Sequence, residues 1–175
     1  MIITRHASLP PPYQDYQTLA LAELEPLGQQ VIDPPIDLNF DLGCVSSILK
    51  NNSSPMSVWV ASESVRTQQT AQYIQELIGV TCPIEIDPLL NEIKFSPQQI
   101  IAKYVNYNSP LEAVRAYFSM ETFTCSKTHE RYQKILDKYQ HQSVLLFSHG
   151  FFMQYILYQQ IKKIGRVDYL ESFEL

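Results

Sequence analysis

Apolar positions along the chain fall into short blocks that alternate with longer, helix-like patterns. Apolar runs with the length of buried strands occur at residues 1–4, 57–61, 84–86 and 143–147. Helical patterns occur at residues 19–31, 41–50, 65–78, 127–139 and 151–164, and Ser-Pro pairs mark two more helix starts at 96–97 and 109–110. Strands that alternate with helices predict an α/β fold, a three-layer αβα sandwich whose central sheet is mainly parallel, with helices on both faces.

The helix predicted over 65–78 has one apolar face, and its candidate N-cap is Ser62 or Ser64. Residues three and four apart share a side of a helix, so the buried face is expected to contain Thr70, Ile74, Leu77 and Ile78. The helix over 19–31 is expected to stop at Asp33, because two prolines follow it. With neither an internal repeat nor a long linker, residues 1–175 are expected to form a single domain.

Three of the predicted strands end beside residues that can carry chemistry. These are Arg5 and His6 after the first strand, Arg66 after the second, and His149 after the strand over 143–147. Ligand sites of parallel sheets lie at the carboxyl ends of the strands. We therefore expect these two arginines and two histidines to meet in one pocket.

The composition limits the classes of function. The chain has 175 residues, of which 45% are apolar and 18% are charged, as is usual for a globular domain. Its 13 Lys and Arg residues against 18 Asp and Glu residues give a net charge of −5, which argues against a nucleic-acid partner. No apolar run approaches the roughly 18 residues of a membrane span, and no signal-peptide pattern opens the sequence. We expect a cytoplasmic protein without a membrane partner.

Neither a cofactor nor a metal is predicted. The chain has five glycines and no glycine-rich phosphate-binding loop. Its cysteines, Cys44, Cys82 and Cys125, are odd in number and lack paired spacing, which is typical of reduced thiols in the cytoplasm. The sequence contains no CxxC, HExxH or Cys/His cluster, so no metal site is expected.

Two arginines and two histidines at strand ends are suited to a phosphoryl group. An arginine fork matches phosphate oxygens, and a neutral imidazole is a nucleophile that can carry a phosphoryl group. A second imidazole can stabilise the charge that develops on the equatorial oxygens. Because His149 stands where a helix begins, backbone N–H groups near Gly150 are expected to point at the anion as well. Arginine and histidine supply the positive charge, so this chemistry requires no bound metal.

Four short segments follow one another along the chain at residues 4–7 (TRHA), 61–71 (ASESVRTQQTA), 90–93 (LNEI) and 146–150 (LFSHG). Together they resemble the histidine phosphatase superfamily, also called phosphoglycerate mutase-like. The first is similar to the family's Arg-His-Gly signature, and the second to its Ser-x-x-x-Arg-x-x-x-Thr-Ala segment. The third is similar to the segment that holds the family's acid, and the fourth to its second-histidine segment. The resemblance implies a phosphoglycerate mutase-like fold.

The resemblance also implies roles for individual residues. His6 would be the nucleophile that becomes phosphohistidine. Glu92 would protonate the leaving oxygen and then activate water for dephosphorylation, and positioned proton transfer of this kind contributes about 10²–10⁴-fold. The catalytic residues would be His6, Glu92 and His149, and the phosphate-binding residues Arg5, Arg66, His149 and Gly150.

The chain departs from the family's pattern in three places. Ala7 replaces the usual glycine, which a backbone with negative φ tolerates. Pro12 stands near the position of a phosphate-contacting asparagine, so we expect that contact to be lost or supplied otherwise. Residues 95–125, where the family has the cap that selects the substrate, form a short region. Because a mutase must shield its phosphoenzyme from water, a short cap favours a phosphatase.

The leading prediction is a metal-independent phosphatase that acts on a phosphomonoester, either a small phosphorylated molecule or a phosphoprotein. Three alternatives stay open: a phosphoglycerate mutase-like phosphotransferase, a protein phosphohistidine phosphatase, and a non-catalytic member that binds a phosphorylated ligand. Glu92 argues against the phosphohistidine phosphatase, because a phosphohistidine leaving group hardly needs an acid. An unrelated flavodoxin-like regulatory domain would need acidic residues at the strand ends, where this chain has Arg and His.

Overall fold

Within the residues that the structure describes, five strands form the central sheet. The structure is a computed structural model that describes residues 1–13, 19–39, 56–103, 113, 126–161 and 167–175. The strands are β1 (Ile2–Arg5), β2 (Val58–Ala61), β3 (Ile84–Ile86), β4 (Val144–Ser148) and β5 (Ser172–Glu174). Their order in the sheet is β3-β2-β4-β1-β5. The first four of these strands are parallel to one another, and β5 runs antiparallel to β1. The prediction of a mainly parallel sheet is confirmed, with one antiparallel strand at its edge.

Helices precede and follow these strands. In the described ranges they are α1 (Leu21–Gly28), α2 (Val65–Ile78), α3 (Pro97–Lys103), α4 (Ser126–Tyr139) and α5 (Gly150–Ile161), with a short 3₁₀ turn at Pro88–Leu90. Ser96 begins α3 as predicted, since its hydroxyl accepts a hydrogen bond from the Gln99 N–H at 3.2 Å. The helix predicted over 41–50 and the helix start at 109–110 lie outside the described residues.

Strand residues alternate between the two faces of the sheet, and helices cover both faces. On one face, the residues that pack with α4 and α5 are Ile3, Val60, Val144 and Leu146. On the other face, the residues that pack with α2 are Ile2, Trp59, Leu145 and Phe147. Successive side chains of a strand point to opposite faces, so a sheet buried on both sides needs apolar residues at every position. The three-layer αβα prediction is therefore confirmed.

Helix α1 is shorter than the prediction, which extended it to residue 31. It ends at Gly28, after which Gln30 takes the left-handed conformation with a φ of 57°. The Val31 N–H then donates back to the Pro26 carbonyl at 2.9 Å, which closes the helix end. A Cβ on Gly28 would lie 2.8 Å from the Phe95 carbonyl oxygen, so glycine alone permits this close approach. Tertiary packing ends α1 before the downstream prolines can act.

The buried face of α2 differs from the prediction at Leu77, whose side chain is 49% exposed. Thr70 and Ile74 are buried as expected. The remaining buried residues of α2 are Arg66, Thr67 and Ala71. Full burial ends at Ile74, Ile78 is half-buried against the same core cluster, and Leu77 is exposed in the last turn of the helix. The polar residues at the start of α2 are buried instead, beside the carboxyl ends of the strands.

The described part of the chain carries neither a membrane-spanning helix nor a metal cluster. None of its helices is long and apolar enough to cross a membrane. Among the same residues, no three His, Cys, Asp or Glu side chains are grouped so that they could hold a metal ion. Cys82 is a free thiol, whereas Cys44 and Cys125 lie outside the described residues.

Candidate active site

The carboxyl ends of β1 and β4 bring two histidines together. The strands are neighbours with Arg5 opposite Ser148, and His6 and His149 follow them directly. The His6 N–H donates to the Ser148 carbonyl at 3.0 Å, which extends the pairing one residue past β1. The centroids of the two imidazole rings are 5.3 Å apart, and the two residues are 2% and 1% exposed. Parallel pairing thus places both rings at one buried edge of the sheet.

The end of β2 contributes Arg66, which lies in the first turn of α2. Its Nε lies 3.3 Å from His149 Nδ1, and its Nη2 lies 3.1 Å from the same atom. Arg5, the last residue of β1, is close enough to both histidines for its charge to lower their pKa values. The structure therefore brings together the four residues that the strand ends predict: Arg5, His6, Arg66 and His149.

The His6 ring is held by one of its nitrogens, which fixes its tautomer. Its Nδ1 lies 2.7 Å from the Ala7 carbonyl oxygen, which can only accept, so Nδ1 carries the proton. Burial lowers the pKa of His6 well below its usual value, and the charges of Arg66 and Arg5 lower it further. The ring is neutral at neutral pH, and Nε2 keeps a lone pair for nucleophilic attack.

The His149 ring takes the opposite tautomer. Guanidinium nitrogens only donate, so Nδ1 accepts from Arg66, and Nε2–H donates to the Ser62 hydroxyl at 2.8 Å. Ser62 Oγ lies 2.8 Å from the Thr67 hydroxyl, which continues the polar chain into α2. Burial lowers the pKa of His149 well below its usual value, and the Arg66 charge is the next cause. The site thus contains two neutral imidazoles beside two guanidiniums.

The aspartate that precedes the two prolines enters this site from the loop after α1. The Asp33 carboxylate accepts from Arg66 Nη1 at 2.7 Å and also accepts the backbone N–H of Val65. The second bond caps α2, because the hydroxyl of Ser64, in the N-cap position, makes no capping bond. Ser64 thus takes the predicted N-cap position, but without a capping bond from its side chain, since the Ser62 and Ser64 hydroxyls bond to the Thr67 side chain. Asp33 anchors Arg66 at Nη1 and leaves its Nε and Nη2 facing His149.

Comparison with known proteins identifies the family of this chain. The sequence profile of the histidine phosphatase superfamily (branch 1) matches residues 45–169 of the chain. The chain belongs to the histidine phosphatase superfamily. The profile match includes Arg66, Glu92 and His149 but begins after Arg5 and His6, which only the sheet pairing adds to the site. The resemblance stated from the four segments is confirmed at the level of the family.

Several solved structures share the fold of this superfamily member over nearly its whole length. "Mycobacterial hydrolase 1" has a TM-score of 0.62 at 14% identity and covers 98% of this chain and 86% of its own. A mycobacterial glucosyl-3-phosphoglycerate phosphatase in complex with VO3 has a TM-score of 0.57 at 16% identity and covers 98% of this chain and 90% of its own. The phosphoglycerate mutase from Bacillus anthracis str. Sterne has a TM-score of 0.57 at 17% identity and covers 96% of this chain and 83% of its own. At these identities the likeness establishes the fold alone. No curated protein matches the sequence.

In this histidine phosphatase superfamily member, the predicted acid Glu92 lies at the rim of the same site. It lines a cavity of about 210 Å³ together with Asp33, Arg66 and His149. One carboxylate oxygen accepts the Phe152 N–H at 2.9 Å, and the other accepts the Phe151 N–H at 3.1 Å. Glu92 therefore occupies the N-terminus of α5, where a negative charge is favourable.

Two of the backbone N–H groups beside Gly150 are used within the protein, since those of Phe151 and Phe152 donate to Glu92. The phosphate-binding role of Gly150 itself stays a prediction. Gly150 packs against Arg5, because a Cβ at this position would lie 3.2 Å from both the Cζ and the Nε of Arg5. The missing side chain makes room for the guanidinium. Ala7 adopts no positive φ, as the tolerated glycine replacement requires.

A Gly150→Ala variant is expected to weaken substrate binding. The added Cβ forces the Arg5 guanidinium to move by a few tenths of an ångström. Displacement of a positioned group is costly, and we expect KM to rise about fivefold with a smaller change in kcat. Gly79→Ala is the matched control, since its φ of 69° strains an alanine but its Cβ would meet nothing within 4 Å. That variant should lose about 1 kcal/mol of stability and keep its KM. An unchanged KM in Gly150→Ala would contradict the packing argument.

An Asp33→Asn variant separates the charge of Asp33 from its anchoring role. Asparagine keeps one acceptor oxygen, which can serve Arg66 Nη1, but it loses the second oxygen that accepts the Val65 N–H, and it removes the negative charge beside Arg66. The carboxylate and a dianion on opposite edges of one guanidinium are roughly 6 Å apart, which costs about 1 kcal/mol in a water-like dielectric. We expect the variant to bind vanadate about fivefold more tightly, measured by titration. Asp33→Ala loses the anchor as well and should bind no more tightly than the wild type; an Asn variant that does the same would contradict the charge argument.

Two residues of the site were missed by the sequence reasoning. Asp33 carried a signal that supported another role, because Asp-Pro-Pro is typical of a helix end. Tyr169 carried none: its ring centroid is 5.7 Å from that of His6 and 4.1 Å from Arg5 Cζ, although 163 residues separate it from His6. The sequence offers one clue to Asp33: a polar residue before two prolines can cap another helix as well as stop the helix that precedes it.

Proposed function

We propose that this chain is a metal-independent phosphatase that hydrolyses a phosphomonoester through a phosphohistidine on His6. The observation that carries the proposal is the orientation of the His6 ring. Its protonated Nδ1 is bonded to the Ala7 carbonyl, and its basic Nε2 lies among the charges of Arg5 and Arg66. A neutral nucleophile beside two fixed cations is what attack on a phosphate dianion requires.

The reaction proceeds in two displacements at phosphorus. His6 Nε2 attacks, an N–P bond forms, and the bond from phosphorus to the ester oxygen breaks. The leaving oxygen takes a proton from the Glu92 carboxylic acid. Water then attacks the phosphohistidine, the N–P bond breaks, and a proton of the water returns to Glu92. Inorganic phosphate leaves, and the dephosphorylated product carries the hydrogen of the first step.

The arginines and His149 act on the phosphoryl group in both steps. Arg66 is bonded to Asp33 through Nη1 and to His149 through Nε and Nη2, so the second N–H of Nη1 and the second N–H of Nη2 are the donors that can bind phosphoryl oxygens. His149 lies between Arg66 and Ser62 and can turn its Nε2–H toward the same oxygens. The substrate would be a small phosphorylated molecule or a phosphoprotein. The odd number of cysteines, which lack paired spacing in the sequence, supports a cytoplasmic location.

A second candidate is a family member that binds a phosphorylated ligand without turnover. One observation favours it: both oxygens of Glu92 already accept backbone N–H bonds at the start of α5. A proton donor must release one of these bonds before it can reach a leaving oxygen. If Glu92 only caps the helix, no acid protonates the leaving oxygen of an alkyl phosphate, and the P–O bond does not break.

The test is phosphate release from p-nitrophenyl phosphate and from alkyl phosphates in the presence of EDTA, followed by rapid quenching. We expect turnover that survives chelation and a phosphoprotein that is stable in alkali but labile in acid, as phosphohistidine is. Tight vanadate binding without release of phosphate would favour the binding member. Transfer of the phosphoryl group within the substrate, without release, would identify a mutase instead.

A further inference from the structure

We propose that Tyr169 is a positioning residue of this site, and that its ring holds the Arg5 guanidinium in the orientation that binds a phosphoryl group. The proposal rests on the proposed function only in that Arg5 binds the anion. Tyr169 lies between α5 and β5, in a part of the chain that none of the four family-like segments includes. Its position beside His6 therefore follows from the fold.

Three contacts fix the Arg5 side chain, which is 7% exposed. Its Cζ lies 4.1 Å from the centroid of the Tyr169 ring, within the range of a cation–π interaction. Its Nη1 donates to the Val167 carbonyl at 2.6 Å. Gly150 leaves the space in which Cζ and Nε lie. Two of these contacts come from the single segment that precedes β5.

The hydrogen bond among these contacts, to Val167, is made by Nη1, at one end of the guanidinium. Among the described residues, the buried Nε of Arg5 has no hydrogen-bond partner. A buried donor without a partner is costly unless a ligand satisfies it. The Nε–Nη2 edge is also the edge with which arginine binds two oxygens of one phosphate. Tyr169 and Val167 thus hold Arg5 with this edge available.

The backbone around Tyr169 is built to keep the ring in place. The Glu171 N–H donates to the Asp168 carbonyl at 3.0 Å, and the Asp168 N–H donates to the Glu171 side chain at 2.6 Å, so Tyr169 and Leu170 form the corner of a closed turn. Leu170 has a φ of 57°, a left-handed conformation that leucine adopts only at a cost. Its side chain is 3% exposed and packs in the core with Ile2 and Phe147. Burial of Leu170 therefore stabilises a strained turn that aims Tyr169 at Arg5.

The test measures the affinity for vanadate, which requires no turnover, in Tyr169→Leu and Tyr169→Phe. Loss of the ring should weaken vanadate binding about tenfold, the range of a desolvated cation–π contact. Tyr169→Phe keeps the ring and should restore most of the affinity. Tyr73→Leu is the matched control, because Tyr73 is a partly buried tyrosine that packs against the core cluster of α2, outside the site. It should bind vanadate as the wild type does, even where its melting temperature falls as far as that of Tyr169→Leu.

A double-mutant cycle with Arg5→Ala decides whether Tyr169 acts through Arg5. In the Arg5→Ala background, Tyr169→Leu should cause no further loss of vanadate affinity, because the guanidinium that it positions is gone. A further tenfold loss in that background would overturn the proposal, as would a Tyr169→Leu variant with wild-type affinity. A Tyr169→Phe variant as weak as Tyr169→Leu would assign the effect to the hydroxyl and overturn it too. Wild-type protein that binds vanadate but releases no phosphate would contradict the phosphatase and leave this cycle fully interpretable.

Discussion

His6→Ala is expected to abolish phosphate release from every phosphomonoester that the wild type hydrolyses. Removal of a nucleophile costs about 10⁴-fold or more in kcat, because the remaining groups can bind the substrate but not form the covalent intermediate. The variant should also yield no acid-labile phosphoprotein after rapid quenching. Both results are expected because His6 Nδ1 is bonded to the Ala7 carbonyl, which leaves Nε2 as the nitrogen that would attack phosphorus.

The His6→Ala variant is informative because the rest of the anion site remains. Arg5 is held by Val167 and Tyr169, and Arg66 by Asp33, and none of these contacts involves the His6 side chain. We therefore expect vanadate to bind still, although more weakly, since it can no longer bond to Nε2. The control is His141→Ala, an exposed histidine that should leave turnover unchanged. Turnover that persists in His6→Ala at the wild-type rate would exclude the phosphohistidine mechanism.

The part of the site that could be predicted from the sequence is the part that strand ends determine. Parallel strands place the residues that follow them at one edge, so an apolar run that ends in Arg5 and His6 and another that ends in His149 predict a meeting. This inference needs only local patterns and one topological rule. The burial of Thr70 and Ile74 could also be predicted from a local pattern, because the helical period places both on the same side of α2.

The residues that could not be predicted depend on where loops pack. Asp33 reaches Arg66 because α1 ends early at Gly28, and that end is set by contact with Phe95, which no local pattern reports. Tyr169 reaches Arg5 through a left-handed Leu170, and a leucine in the sequence does not indicate that conformation. Tertiary contacts between distant segments decide both positions, so their physical cause becomes visible only in the folded chain.

Glu92→Gln is expected to separate the two roles that the structure allows for this carboxylate. Without a proton donor, an alkoxide leaves poorly, and we expect kcat on alkyl phosphates to fall about 10²-fold. p-Nitrophenolate leaves without a proton, so the loss on p-nitrophenyl phosphate should stay below about tenfold. The measurement is kcat on both substrates for the variant and the wild type, at a pH where both proteins are folded.

The helix cap is the competing explanation, because glutamine keeps only one of the acceptor oxygens that face Phe151 and Phe152. Glu25→Gln is the matched control: the Glu25 carboxylate accepts the Gln98 N–H at 2.7 Å at the start of α3, away from the histidines. It should lose comparable helix-capping stability and keep its activity on both substrates. If Glu92→Gln loses the same factor on the alkyl and the aryl phosphate, proton donation is wrong. Glu92 then acts by fixing the start of α5, the helix that begins directly after His149.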